Sequence, residues 1–249
     1  MRYSKLTFDI KAPKPYDFIG SKMRGMLGYA LKKEVCINPT MNCEGCFAKK
    51  ECAFYDMYEK SNVTHQYRID LKLDEERYKF SLLLFGTLQK DTTRIKKAML
   101  SALKHYKEIE TKEKEKKLKI NKNTPSVIKL KFVTPLRIKR ENNFVRDEVS
   151  LDDILRSIYR RKRELDGVAY EPFRMEHDTT TVMKNFFYKE LTRKSNKQQT
   201  KMNIGGLMGE IIISGLDSKV YELLKLGEVI GVGKATVFGL GKIKIEEIA

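Results

Sequence analysis

The sequence predicts an α+β chain of two tandem ferredoxin-like (RRM-like) domains, with a cysteine-rich insertion in the first. Three observations predict it. Alternating and helical segments follow the order strand, helix, strand, strand, helix, strand, and the order then recurs. Four cysteines fall within seventeen residues of the first round. A glycine-rich stretch sits between the last helix and the last strand of the second. The expected domains are 1–123, with the insertion at about 35–60, and 124–249, with the glycine-rich loop at 231–241.

Residues 2–11 alternate polar with Tyr3, Leu6, Phe8 and Ile10, as a half-buried strand does. Residues 18–34 place Phe18, Met23, Met26, Leu27, Ala30 and Leu31 at helical spacing, with Ser21 as the expected N-cap. Two strands follow at 63–73 and 78–88, joined by the charged run DEER, and then a helix over 91–110. Residues 111–123 are a Lys/Glu run, expected to be a solvated stretch or hinge. The second round opens with a strand over 127–139, where Pro135 marks an edge position or the strand's end. An amphipathic helix over 151–165 turns Leu151, Ile154, Leu155, Ile158 and Leu165 inward and starts at Ser150 or Asp152. Strands at 186–194 and 206–214, a helix at 217–226 capped near Asp217, and a strand at 237–246 complete the round.

Charge narrows the function classes. Fifty Lys and Arg against 33 Asp and Glu give a formal net charge of +17 over 249 residues. Self-repulsion on that scale points to a polyanionic partner, nucleic acid foremost, whereas a thermophile-like Lys/Glu surface would be near balance. No apolar run reaches the roughly 20 residues of a membrane span, and the alternating N-terminus lacks a signal-peptide core. The expectation is a cytoplasmic protein with no membrane partner.

Cys36, Cys43, Cys46 and Cys52 read C-x6-C-x2-C-x5-C. Four thiolates with a two-residue knuckle suit a structural zinc ion. An iron–sulfur cluster uses the same ligands, and four unliganded thiols are the third reading. A disulfide framework does not suit the cytoplasm. No His or carboxylate is placed to complete a catalytic zinc site.

Residues 231–241 read GVGKATVFGLG, that is G-h-G, five residues, G-h-G. The stretch is neither a Walker loop, which needs G-x4-G-K-[ST], nor a dinucleotide fingerprint, which follows a strand. Glycines allow close backbone approach to a phosphodiester chain, and Lys234 adds a point charge.

This loop resembles the signature of the CRISPR repeat-cleaving endoribonucleases of the RAMP superfamily. GSKMRGMLGYALKKEVC with its cysteines, YKFSLLLFG, FVTPLRIK, the RRKREL helix and RKSNKQQTKMNIGGLMGEI resemble a cysteine-containing branch of it, in family order over nearly the whole chain. The resemblance implies tandem ferredoxin-like folds and binding of precursor CRISPR RNA. It also implies metal-independent cleavage within each repeat, by attack of a ribose 2′-OH that leaves a 2′,3′-cyclic phosphate and a 5′-OH.

Such chemistry needs a base, a cation and an acid. Family members often carry a His on the first helix or beside the glycine loop. Here the first helix has none, and Gly231 stands where the loop His often does. The catalytic candidates are therefore Tyr29 and Lys32 on the first helix and His177 in EPFRMEHDTTT; His65 and His105 are expected to be structural and superficial. The RNA-binding candidates are Arg24, Arg193, Lys194, Ser195, Lys197, Gln198, Gly231, Gly233, Lys234, Gly239 and Gly241. Arg160, Arg161 and Arg163 either grip a repeat stem or solvate their helix. Gly233→Ala is expected to weaken RNA binding and leave the fold intact. A non-cleaving RAMP subunit that binds guide RNA within an effector complex is the alternative reading.

Overall fold

The computed structural model describes residues 1–13, 18–73, 75–120, 123–195 and 200–248, with only the backbone of 194, 195, 200 and 201. The chain forms two units, Met1–Asp70 with Asp74–Lys117, and Leu71–Leu73 with Leu118–Ala249.

The first unit runs β1 (Arg2–Pro13), α1 (Ile19–Val35), β2 (Tyr67–Leu71), β3 (Arg77–Leu84), α2 (Thr92–Ala102) and β4 (Ile109–Lys117). Its sheet order is β2-β3-β1-β4, the ferredoxin-like order, with β1 central and antiparallel to β3 and β4. Alternation in β1 buries Leu6, Phe8 and Ile10 on one face, and Phe8 stacks on Phe80 across the β1–β3 pair. Met23, Leu27 and Leu31 of α1 and Ile95, Ala98 and Met99 of α2 are buried with them.

Three expectations change here. Helix α1 starts after Phe18 and its N-terminus has no side-chain cap, so Ser21 lies inside the first turn. The second helix is shorter than 91–110; Gly86–Asp91 form a 3-10 turn before it. The Lys/Glu run is no hinge, because 109–117 pair along β1 as an edge strand. The ladder needs only backbone groups, so a strand can form with hardly any apolar side chains. Charge on an edge also discourages pairing with other chains.

The second unit repeats the plan with β5 (Val127–Leu136), α3 (Leu151–Leu165), β8 (Thr180–Lys189), β11 (Gly206–Ser214), α4 (Ser218–Ile230) and β12 (Ile243–Glu247). The sheet order β12-β5-β11-β8 is again the ferredoxin-like order. Two small hairpins are added, β6 (Lys139–Arg140) with β7 (Asn143–Phe144), and β9 (Thr192–Ser195) with β10 (Thr200–Asn203). Pro135 sits in a central strand, but at its end, past the last β12 pair at Phe132–Ile243. On the β11 side it falls at the register shift between the Phe132–Gly209 and Leu136–Leu207 pairs, an irregularity of the kind that accommodates proline.

Helix α3 begins in a capping box: Ser150 Oγ accepts from the Asp153 N–H, and Asp153 accepts from the Ser150 N–H. Such caps contribute about 1 kcal/mol. Asp217 caps α4 through the Lys219 N–H at 2.6 Å. The packed faces of α3 and α4 bury Ile154, Leu155, Ile158, Val220, Leu224 and Ile230 against Ile128, Leu130, Ile211 and Ile213. Among the described residues, no helix is long and apolar enough to cross a membrane.

Candidate nucleic-acid interface

The glycine loop is built around two crossing arms. Helix α4 ends at Gly231 with φ 81°, and Gly233, Gly239 and Gly241 also have positive φ. The residues between the paired glycines, Val232 and Leu240, are fully buried, so each G-h-G arm anchors one side chain in the core. The Val232 N–H donates to the Gly241 carbonyl at 2.9 Å. A Cβ on Gly241 would lie 1.8 Å from the Val232 oxygen, and one on Gly233 would lie 2.3 Å from the Arg137 oxygen.

The loop's donors are turned inward. The N–H groups of Lys234 and Gly241 donate to the carbonyls of Arg137 (2.7 Å) and Pro135 (3.0 Å), just past and at the end of β5. Gly233 donates to Ser157 Oγ on α3 at 2.8 Å, and Lys242 to Thr134 Oγ1 at 2.9 Å. Gly231, Gly239 and Gly241 are buried. These three glycines are thus not surface contacts for a phosphate chain, and Gly233 is half-buried with its N–H engaged. Their role is steric: they let the arms cross where a Cβ would collide with backbone. Lys234 is exposed at the bend between the arms, followed by Ala235 at φ 66°.

Beside the loop lies a set of cations resting on aromatic rings. Arg193 of β9 stands 4.7 Å over Phe238, and its Nη2 lies 3.0 Å from Met202 Sδ on β10. Arg137 stands 3.8 Å over Phe144 and donates to the Gly205 carbonyl at 2.9 Å; Lys139 approaches the same ring at 5.1 Å. Arg146 stands 5.3 Å over Tyr188. Burial pulls the Arg137 guanidinium below its usual pKa range, with Tyr188 and Glu190 opposing. Each exposed pair contributes about 0.5–1 kcal/mol. A ring orients a guanidinium without itself supplying a counter-charge.

Of the residues expected to contact RNA, Arg193 lies over Phe238 and Lys234 at the exposed bend of the loop. Lys194 and Ser195 are placed in β9, and Lys197 and Gln198 lie outside the described residues. Arg24 is engaged within its own unit. Its Nε donates to Tyr67 Oη at 2.9 Å, its guanidinium lies 4.6 Å over Tyr58, and Tyr58 Oη donates to the Arg24 carbonyl at 2.8 Å. It ties α1 to residues 57–67 of its own unit. Burial pushes the hydroxyls of Tyr58 and Tyr67 above their usual range. The α3 arginines are likewise engaged: Arg161 donates to the Ile230 carbonyl at the end of α4, Arg160 pairs with Glu164, and Arg163 pairs with Glu171.

The catalytic candidates are split between the units. Tyr29 is 69% exposed on α1, with Lys33 Nζ 4.4 Å from its ring centre; Lys32 Nζ lies 5.0 Å from the Phe54 ring. His177 Nε2 lies 3.2 Å from Asp152 Oδ1 on the first turn of α3, and its Nδ1 is buried without a partner. Neither nitrogen is free at the surface in this conformation, which counts against His177 as a base. His65 Nδ1 lies 3.0 Å from the Asp56 carbonyl, and His105 is exposed.

The four cysteines are free thiols, each half-buried. Gly45, at φ 69°, makes the knuckle, with the Cys46 N–H 3.4 Å from the Cys43 carbonyl. Burial raises the Cys43 thiol pKa, Lys32 opposes, and Glu59, Cys52 and Cys36 add to the rise. Among the described residues, no three His, Cys, Asp or Glu side chains are grouped to hold a metal ion. The donor set suits zinc, and Cys36 and Cys52 lie near enough to Cys43 to act on its charge.

Residues 130–243 match the family model described as CRISPR-associated endoribonuclease Cas6. Over that segment the chain is similar to the Cas6 family. Residues 1–122 match a second model, described only as an N-terminal domain. No curated protein sequence matches the chain. Among solved structures, a Thermus thermophilus Cas6 product complex is similar, with 12% identity, 99% of each chain covered and a TM-score of 0.62. A second Cas6 product complex follows at 15% identity, 99% and 100% coverage and 0.53. The protein of a Cas6-related gene from Pyrococcus furiosus follows at 16%, 100% and 99% coverage and 0.50. At these identities the structures establish a shared fold. The matched segment holds the glycine loop, the arginine–aromatic pairs and His177; Tyr29, Lys32 and the cysteines lie outside it.

Sequence reasoning missed Arg137, Arg146, Phe144, Tyr188 and Phe238. The signal for the first three was local: RIKRENNFVR interleaves basic residues with an aromatic.

Two outcomes are expected. Gly233→Ala lowers the unfolding free energy by about 2–4 kcal/mol in denaturant titration, because the new Cβ meets backbone at a left-handed φ; wild-type stability would show that the arms do not cross this closely. Metal analysis of purified protein gives about one zinc per chain if the knuckle closes around an ion; well under one equivalent would leave four free thiols.

Proposed function

We propose that this chain binds CRISPR repeat RNA and cuts precursor CRISPR RNA into guide RNAs as a metal-independent endoribonuclease. The carrying observation is the Cas6 endoribonuclease match over 130–243, the segment that holds the exposed Lys234 and the guanidiniums of Arg137, Arg146 and Arg193. In this reading those cations bind phosphates, while the rings beneath the arginines fix their positions. The product complexes among the Cas6 relatives support RNA that stays bound after cutting.

Cleavage breaks the bond from phosphorus to the 5′-oxygen. A base removes the 2′-hydroxyl proton, and the 2′-oxygen attacks the adjacent phosphorus. The 5′-oxygen leaves as it gains a proton, so the products are a 2′,3′-cyclic phosphate and a 5′-OH. Each proton-transfer group contributes roughly 10²–10⁴-fold, and in-line alignment supplies much of the rest. Tyr29 brings an exposed hydroxyl for proton transfer, and Lys32 brings a cation for the phosphorane. His177 serves only if its loop opens from Asp152. The cysteine knuckle has a structural role in this reading, with any zinc it takes up confined to that segment.

A second reading, a guide-RNA-binding subunit of a CRISPR effector complex that does not cut, is favoured by the absence of His from α1 and by the enclosed His177 ring. End-labelled repeat RNA incubated with the protein in EDTA separates the two. The enzyme reading expects one specific cut with a cyclic-phosphate end, slowed roughly 10²-fold or more by Tyr29→Phe with unchanged RNA affinity. Tight binding with intact RNA would leave the second reading. An unchanged rate in Tyr29→Phe would remove Tyr29 from the chemistry.

A further inference from the structure

The edge strand β4 sorts its charges by face. Its register sets Lys112 opposite Thr7, Lys114 opposite Lys5 and Lys116 opposite Tyr3. Ile109, Thr111, Glu113 and Glu115 stand opposite Ile10, Phe8, Leu6 and Ser4, the face of β1 that carries the core. Glu113 confirms the sorting, since it pairs with Lys96 of α2 at 3.1 Å. The other face therefore shows three exposed lysines in a row, about 6.6 Å apart along the strand.

The acids on the lysine face are already engaged. Asp9 pairs with Lys79 at 2.9 Å, Asp70 with Arg68 at 2.9 Å and Lys5 at 3.3 Å, and Glu110 with Lys11 at 3.6 Å. Among the described residues Lys112, Lys114 and Lys116 form no ion pair, although Asp9 lies within electrostatic reach of Lys112; Lys114 directly opposes another lysine, an arrangement that costs free energy by itself. Blunting a sheet edge requires charge, but not the gathering of one sign on one face.

We infer that Lys112, Lys114 and Lys116 form a phosphate rail for an unpaired segment of the bound RNA. The inference rests on the RNA-binding reading above. The lysine interval is of the order of the distance between neighbouring phosphates in an extended strand. A single row tracks one strand, whereas a duplex would need a second row across a groove. No base-reading side chain interrupts the row, so the contact is independent of sequence.

The test uses the full chain with Lys112, Lys114 and Lys116 all changed to Gln. The probes are a repeat hairpin with an unpaired flank and the same hairpin without it, each titrated over a range of salt. For single strands the slope of log affinity against log salt is about −0.7 per phosphate neutralised, so the variant's slope is expected to be shallower by about 2 on the flanked RNA. It stays unchanged on the bare hairpin. The corresponding triple Lys→Arg variant keeps the wild-type slope. An unchanged slope on flanked RNA, an equal loss on both RNAs, or a loss in the Arg variant would overturn the rail. Wild-type protein that binds neither RNA would overturn the proposed function itself, and the rail with it.

Discussion

The crossing of the two glycine arms over the end of β5 is the constraint on which the second unit depends. Val232 and Gly241 meet where no Cβ fits, and the crossing gathers backbone bonds from Lys234 and Gly241 to the end of β5. Ser157 adds α3 and Thr134 adds the approach to β12. Individually such bonds contribute about 0.5–1.5 kcal/mol. Together they fix where α4 ends, where β12 begins, and where Lys234 and Phe238 stand. The glycine loop is therefore first a backbone joint, and its exposed bend is the part left for a ligand.

The net charge of +17 divides by how each cation is held. Arg160 and Arg163 are neutralised by glutamates, and Arg24 and Arg161 are tied to their own unit. Arg137, Arg146 and Arg193 rest on aromatic rings. The two forms of support have opposite consequences. A carboxylate partner orients a guanidinium and cancels its charge, while a ring orients it and leaves the charge intact. Counting lysines and arginines along a sequence cannot separate these groups, because the partner is usually distant in the chain.

Much of the architecture was legible. Period-two alternation in β1 and β5 and helical spacing in α1 and α3 carried the repeated order, and Ser150 and Asp217 marked two helix starts by their chemistry. Strand β4 was not legible, because its period of two is written in charge and not in hydrophobicity. The position of the glycine loop was clear, but the glycines read as ligand contacts when most are buried joints. Arg24 looked superficial because Tyr58 and Tyr67 lie 34 and 43 residues away. Arg193 and Phe238 pair over a similar separation. For the cysteines, spacing announced a knuckle, and the backbone turns at Gly45 as that spacing implies.

The account separates residues that build the loop from the one that its bend presents. The most direct test compares Gly241→Ala with Lys234→Ala, measuring for each the thermal midpoint and the affinity for repeat RNA. The account predicts a midpoint lowered by several degrees in Gly241→Ala, and in Lys234→Ala a wild-type midpoint with RNA affinity reduced several-fold and a shallower salt dependence. A wild-type midpoint in Gly241→Ala, together with unchanged RNA affinity in Lys234→Ala, would contradict it.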